Sequence, residues 1–151
     1  WSCSKWRNGN KCFNEFVMNE QETINVINDK FKTNLTLKAD KYCDYDAEDE
    51  NYICEIKNRR KYYKDKLIEC VKLFKNYRHS NIINKVFIYV VTDEKGIYVY
   101  NINKYISKII LNKPIKKNNM PVNTDFGSDR KIIKYFYTLN ENISVNIKMD
   151  L

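Results

Sequence analysis

The sequence predicts a single domain of mixed α/β or α+β class, in which helices flank a central mixed sheet. Stretches with helical spacing of apolar residues alternate with β-branched and aromatic stretches, and only 3 Gly and 2 Pro interrupt 151 residues. The 43% hydrophobic and 14% aromatic content argues against a disordered chain. We divide the chain into an extension of unknown role over residues 1–17 and one domain over residues 18–151.

The first predicted element is an amphipathic helix. Apolar residues recur at intervals of three and four from Phe13 to Phe31, and the helix is expected to end near Lys32. Glu20 lies on this apolar stripe, three residues after Val17. A carboxylate in that position either approaches a metal site or borders solvent at the helix start, and the sequence leaves both readings open.

A β-hairpin is predicted after this helix. Residues 41–47 have the composition of an extended segment, an acidic turn covers residues 48–51, and a strand runs from Tyr52 to Asn58. We expect Asp49 and Glu50 to form the two-residue loop at its tip. The position of this loop determines which side chains face each other across the hairpin.

The middle of the chain is predicted to hold the longest helix and a second hairpin. The helix runs from about Arg60 to His79, where apolar residues return to helical spacing. The hairpin has strands over residues 86–92 and 97–101 with a turn at 93–96. Counting a short extended stretch at residues 35–37, the order up to this point is α-β-β-β-α-β-β.

The C-terminal part is predicted to be less regular. A short helix ends near Ile110, and residues 114–130 form a polar loop that contains both prolines. The segments 131–139 and 143–148 are expected to form a last pair of strands.

Charge and cysteine content indicate the partner and the compartment. Lys and Arg outnumber Asp and Glu by 27 to 19, a net charge of +8 that favours a polyanionic partner such as nucleic acid. No stretch approaches about eighteen apolar residues, so no membrane span is expected. Five cysteines without CxxC spacing predict reduced thiols in a soluble, intracellular protein.

The first hairpin carries the strongest candidate for a chemical site. Side chains alternate along a strand, so Glu55 and Lys57 share one face, as do Asp44 and Asp46. With the expected loop, Asp44 lies opposite Glu55 and Asp46 lies diagonal to it, within reach of a common cation. Partly buried carboxylates repel each other, and a hard divalent cation such as Mg²⁺ relieves this repulsion.

This pattern resembles the PD-(D/E)XK nuclease superfamily. The resemblance covers residues 14–101 and includes the Glu55-Ile56-Lys57 triplet, the preceding Asp46 and the order of elements. The Tyr45-Asp46-Ala47 segment followed by the triplet is similar to small viral and phage members of the superfamily.

The resemblance implies a restriction-endonuclease-like core and a phosphodiester hydrolase. It implies that Asp46, Glu55 and the backbone carbonyl of Ile56 bind Mg²⁺ or Mn²⁺, and that Lys57 assists the attacking water. The chain departs from the family pattern because no proline precedes the first aspartate. Asp44 therefore stays a candidate ligand beside the preferred Asp46.

Some members of the superfamily add a carboxylate from the first helix. Glu20 is the candidate for that role in this chain.

Basic residues follow the triplet directly. They either contact phosphates or form a solvated helix start: Arg59, Arg60, Lys61 and Lys64. Further along the predicted helix, Glu69 and Lys72 either support the site or form an ordinary surface ion pair with each other.

The sequence thus predicts a divalent-metal-dependent nuclease whose substrate is nucleic acid, with DNA favoured over RNA. One alternative is a catalytically inactive nucleic-acid-binding protein of the same fold. A third hypothesis is a structural protein whose basic surface contacts an acidic protein. A homodimer is common where two strands are cut, and the sequence leaves the oligomeric state open.

Overall fold

The computed structural model describes residues 17–121 and 131–148. Its helices are α1 (Glu20–Phe31), α2 (Cys70–Ile82) and α3 (Ile102–Leu111), with one 3-10 turn at Glu141–Ile143. Its strands are β1 (Thr36–Leu37), β2 (Ala47–Glu48), β3 (Tyr52–Asn58), β4 (Lys66–Glu69), β5 (Val86–Asp93), β6 (Gly96–Asn101), β7 (Ile115–Pro121), β8 (Lys131–Leu139) and β9 (Ser144–Lys148). In this part of the chain, no helix is long and apolar enough to cross a membrane.

The main sheet has six strands in the order β1-β2-β3-β5-β6-β9. The strands β3 and β5 are parallel and are connected through α2, whereas all other neighbours in this sheet are antiparallel. The predicted mixed sheet with flanking helices is therefore confirmed. A parallel pair needs a crossover connection, and α2 provides it.

A second, antiparallel sheet has the order β4-β8-β7. The predicted pairing of residues 131–139 with residues 143–148 is wrong, because β8 lies between β4 and β7 while β9 extends the main sheet next to β6. Both segments are strands, as predicted. Their partners depend on which sheet edges are free, and that is not encoded in the local pattern.

Two predicted elements have different bounds in the structure. The helix expected from Arg60 starts only at Cys70, because Lys66 and Ile68 are buried on one face of β4. The polar loop expected over residues 114–130 begins with β7, and residues 122–130 lie outside the described ranges. In the first hairpin, the expected extended segment over residues 41–47 is a strand only at Ala47, and this strand continues to Glu48, which was expected in the turn.

The helix α1 starts with a capping box. The side chain of Asn19 accepts a hydrogen bond from the backbone N of Glu22, and the Glu22 carboxylate accepts one from the backbone N of Asn19. The helix ends before Lys32, as predicted, and Lys32 adopts the left-handed conformation at φ 55°. Phe13 belongs to the predicted stripe but lies outside the described residues.

The two faces of the main sheet bury different clusters. The helix α1 covers one face with Ile24 and Ile27, which belong to the same cluster as Cys54 and Ile56 of β3. The opposite face carries Ile53 of β3 and contacts α2, α3 and the second sheet. Side chains alternate, so Glu55 and Lys57 lie on this second face with Ile53.

Substituting Gly96 with alanine is expected to destabilise the fold by at least about 2 kcal/mol. Gly96 has a φ of +151°, and a Cβ atom there would lie 2.4 Å from the carbonyl oxygen of Ile147. Urea unfolding measures the loss. Lys148→Ala is the control, because Lys148 is exposed and pairs with Gly96 in the register. Equal midpoints for the two variants would contradict the close approach.

Candidate active site

The first hairpin brings Asp46 close to Glu55. The last pair of this register is Ala47 with Cys54, and the backbone N of Asp46 also donates to the carbonyl of Cys54 at 2.8 Å. Asp46 therefore lies directly beyond this pair, close enough to Glu55 for its charge to raise the pKa of that carboxyl. The expected register, with Asp44 opposite Glu55 and Asp46 diagonal, is therefore wrong.

The difference arises in the turn. The carboxylate of Asp49 accepts hydrogen bonds from the backbone N of Asn51 and of Tyr52, both at 2.8 Å. The backbone N of Asp49 also donates to the carbonyl of Tyr52 at 3.0 Å. These bonds place the two-residue loop at Glu50 and Asn51, one residue later than expected, because an aspartate side chain can substitute for backbone in a turn.

The Asp46 carboxylate is oriented by the backbone of the facing strand. Its Oδ2 accepts a hydrogen bond from the backbone N of Ile56 at 2.6 Å. Burial raises the pKa of Asp46, while the bond from Ile56 and the charges of Lys72 and Lys57 lower it. Asp46 is thus a half-buried carboxylate whose orientation is fixed by the hydrogen bond from Ile56.

Glu55 is the most deeply buried of the candidate carboxylates. Its side chain is buried, at 4% exposure for the residue, and its Oε1 forms an ion pair with the ammonium of Lys72. Its Oε2 is buried and has no hydrogen-bond partner among the described residues. Burial, and then the charge of Asp46, raise the pKa of Glu55 to about 7 against the opposing effect of Lys72.

Lys57 follows on the same face of β3 and is half-buried. Burial lowers the pKa of its ammonium group, and the positive charges of Arg59 and Lys72 lower it further. Glu55 acts in the opposite direction. A lysine in such surroundings releases its proton more readily than an exposed one.

The two additional carboxylate candidates differ in position. Glu20 is the first residue of α1 and is exposed, yet its pKa is raised by burial and by the charge of Asp46, which places it at the edge of the cluster. Asp44 is exposed and accepts a hydrogen bond from Lys75 on α2 at 2.7 Å. Glu20 therefore lies near Asp46, whereas Asp44 forms a separate ion pair with Lys75.

Lys72 is the site residue for which the sequence left two roles open. Glu69 does not pair with it, because Glu69 contacts Lys134 of β8 at 3.3 Å while Lys72 contacts Glu55. The alternative of a surface ion pair between Glu69 and Lys72 is thus wrong. Burial lowers the pKa of Lys72, but the Glu55 charge and hydrogen bond, with Asp46, raise it above its usual value. The contact joins a strand to a helix 17 residues later, a separation that no local spacing rule connects.

The predicted phosphate contacts lie in a loop over residues 59–65 rather than at a helix start. Arg59 is half-buried in this loop, and Arg60, Lys61 and Lys64 are exposed. Beside the loop lies a cleft of about 400 Å³, which we call the loop cleft. Its lining includes Arg59, Lys61 and Lys64 but not Arg60.

The residues present fit a hard divalent cation. Among the described residues, no three His, Cys, Asp or Glu side chains are grouped to hold a metal ion. Mg²⁺ does not need such a group, because it binds through one or two carboxylates and keeps several waters. Asp46 and Glu55 supply two neighbouring carboxylates, and the unpartnered Oε2 of Glu55 is a buried atom that a cation would satisfy.

No family model matches the chain, and searches of curated proteins and of solved structures found no match either.

Proposed function

We propose that this protein is a divalent-metal-dependent nuclease of the PD-(D/E)XK type that hydrolyses phosphodiester bonds, with DNA favoured over RNA. The observation that carries the proposal is the buried Glu55, whose Oε2 has no partner among the described residues and which lies close to Asp46. Burying a carboxylate in this way costs stability unless a ligand compensates it. Such a cost is typical of a functional site.

The order of elements supports the fold part of the proposal. A helix precedes a three-strand antiparallel meander, and α2 leads to a strand parallel to β3. This is the order that the superfamily core implies. Strand β4, α3 and the second sheet are additions to it in this chain.

The roles of the chain's own groups follow from their charge and position. A bound Mg²⁺ or Mn²⁺ would supply Lewis acidity and neutralise charge on the phosphate. Asp46, Glu55 and the carbonyl of Ile56 are the groups that would hold it, with Glu20 at their edge. Lys57 accepts a proton from the attacking water, because its lowered pKa makes the neutral amine accessible. The cation of Lys72 stabilises the negative charge that builds up on the phosphate.

The contact of Lys72 with Glu55 favours one second candidate. An ammonium group that neutralises Glu55 permanently would leave a nucleic-acid-binding protein without catalysis. In the nuclease, Asp46 and Glu55 would instead hold a divalent metal ion, with the ammonium of Lys72 as a further positive charge. The two functions therefore differ in whether the hairpin binds a divalent metal.

A cleavage assay with single-stranded, double-stranded and branched DNA and with RNA tests the proposal. The nuclease predicts products in Mg²⁺ or Mn²⁺ and none in EDTA. Binding without cleavage under all metal conditions would support the inactive candidate and reject the nuclease. The absence of nucleic-acid affinity at moderate salt would reject both and favour a contact with an acidic protein.

The Asp46→Asn variant is expected to lose about 10- to 100-fold in Mn²⁺ affinity, because it removes one of two neighbouring carboxylates. Isothermal titration calorimetry measures the affinity. The matched control is Asp44→Asn, which removes the same charge from the neighbouring loop but breaks only the exposed pair with Lys75. If Asp44→Asn loses as much Mn²⁺ affinity as Asp46→Asn, the assignment of Asp46 is wrong.

A further inference from the structure

We infer that the loop cleft receives an unpaired nucleic-acid strand next to the phosphate that reacts at Asp46 and Glu55. This inference rests on the proposed nuclease function and narrows its substrate class to chains with a single-stranded segment. The contact of the cleft with the site, its charge and its aromatic lining each support it.

The loop cleft begins beside the candidate active site. Its lining includes Val91 of β5, which pairs with Lys57 of β3 in the register and shares its face of the sheet. Arg59 also lines the cleft, and its charge acts on Lys57. A strand that lies in the cleft therefore passes Lys57.

Most of the positive charges that line the loop cleft are not neutralised by ion pairs among the described residues. Five basic and two acidic residues line it. One of the five, Lys66, is buried and contacts Asp93 at 3.0 Å and Glu141 at 3.1 Å. The other four have no ion-pair partner among the described residues: Arg59, Lys61, Lys64 and Lys117. Unpaired cations along a groove favour a phosphate backbone.

The two walls of the cleft come from different elements. Arg59, Lys61 and Lys64 lie on the loop, and Lys117 lies across from them on β7 of the second sheet. Cations on both walls suit one backbone between them.

The aromatic and apolar lining favours an unpaired strand, whose bases are free to stack, over a duplex. Tyr63 is 58% exposed at the cleft, and Leu67 and Ile115 add apolar surface. An exposed aromatic ring beside cations is the arrangement on which unpaired bases stack.

Lys117→Ala is expected to weaken binding of a fluorescent oligothymidylate about fivefold and to reduce the slope of log affinity against log salt by about 0.7. Fluorescence anisotropy in EDTA measures both, so that no cleavage is required. Lys116→Ala is the matched control, because Lys116 is the preceding residue of β7 and points to the opposite face. It should bind as the wild type does.

Tyr63→Ala is expected to weaken the same binding about fivefold or more, because stacking on one base is lost. Tyr42→Ala is its control, since Tyr42 is 94% exposed and does not line the cleft. Thermal melting establishes that each variant is folded. Wild-type protein should also bind oligothymidylate more tightly than a duplex of equal length.

Several outcomes overturn the inference: no wild-type binding of oligothymidylate, equal losses in Lys117→Ala and Lys116→Ala, or tighter binding of the duplex. These outcomes are separate from a failure of the nuclease proposal. If Lys117→Ala and Tyr63→Ala weaken binding but the wild type cuts nothing in Mg²⁺ or Mn²⁺, the cleft is supported and catalysis is rejected. If cleavage depends on Asp46 while Lys117→Ala matches its control, catalysis is supported and the cleft is rejected.

Discussion

Replacing Lys57 with methionine is expected to reduce cleavage by about 10²- to 10⁴-fold while substrate affinity stays within about threefold. Methionine keeps most of the length and the apolar stem of the side chain but cannot accept a proton. The loss should fall on kcat, because Lys57 is proposed to act on the attacking water rather than to hold the ground-state substrate. Single-turnover cleavage in Mg²⁺ measures it.

The pH dependence gives a second readout for Lys57. Burial lowers the pKa of its ammonium group, so the neutral amine forms at a lower pH than in an exposed lysine. The wild-type rate should rise with pH as the amine loses its proton, and this rise should be absent in Lys57→Met.

The matched control for Lys57→Met is Lys75→Met. It removes one lysine charge from α2 and breaks only the exposed pair with Asp44. It should cut as fast as the wild type. A Lys57→Met variant that retains wild-type cleavage, or a Lys75→Met variant that loses as much, would contradict the proton-transfer role.

Replacing Glu55 with glutamine is expected to stabilise the metal-free protein by about 1–3 kcal/mol above neutral pH. Glutamine has the same shape as glutamate but carries no charge to desolvate. Its neighbour Lys72 is half-exposed, so its ammonium can return to water when the ion pair is lost. Urea unfolding in EDTA measures the gain.

The sign of the pH effect follows from the direction of the pKa shift. Glu55 has a pKa of about 7 in the folded chain, above the ordinary value of 4.5. The folded state therefore binds the proton more tightly than the unfolded state. The stability contributed by the protonated group is fully present below pH 4.5 and is lost as pH rises to about 7. Glu55→Gln should remove this pH dependence.

Glu55→Gln should be more stable than the wild type in EDTA, and Mn²⁺ should reverse this order. Mn²⁺ is expected to raise the melting temperature of the wild type, because a ligand that binds only the folded state stabilises it. Glu55→Gln should lose both this increase and cleavage. The site would thus gain function at the expense of stability in the metal-free state.

Glu48 supplies a control of opposite sign in the same hairpin. Its pKa is lowered by the hydrogen bond from Lys38, so its charged form is favoured by folding. Glu48→Gln should therefore destabilise the protein at neutral pH. Two results would contradict this account of Glu55. One is that Glu55→Gln also destabilises the protein above neutral pH. The other is that the wild type melts at the same temperature with and without EDTA, as Glu55→Gln should.

Local patterns predicted several elements and part of the site. The second hairpin, the short helix after it and the C-terminal end of α1 agree with the structure. So does the shared face of Glu55 and Lys57, because alternation along one strand depends only on sequence spacing. The hairpin register at Glu55 was mispredicted, because the Asp49 side chain moved the turn by one residue.

The sequence by itself determined that one strand presents a carboxylate and a lysine on the same face, with a basic segment directly after it. Only the tertiary structure decided that Asp46 lies beside Glu55, that Lys72 approaches from α2 and that β7 contributes to the loop cleft. These contacts join segments that are distant in the chain. They form because burial of apolar surface brings α2 and the second sheet against one face of the main sheet, a result of the whole fold rather than of any local pattern.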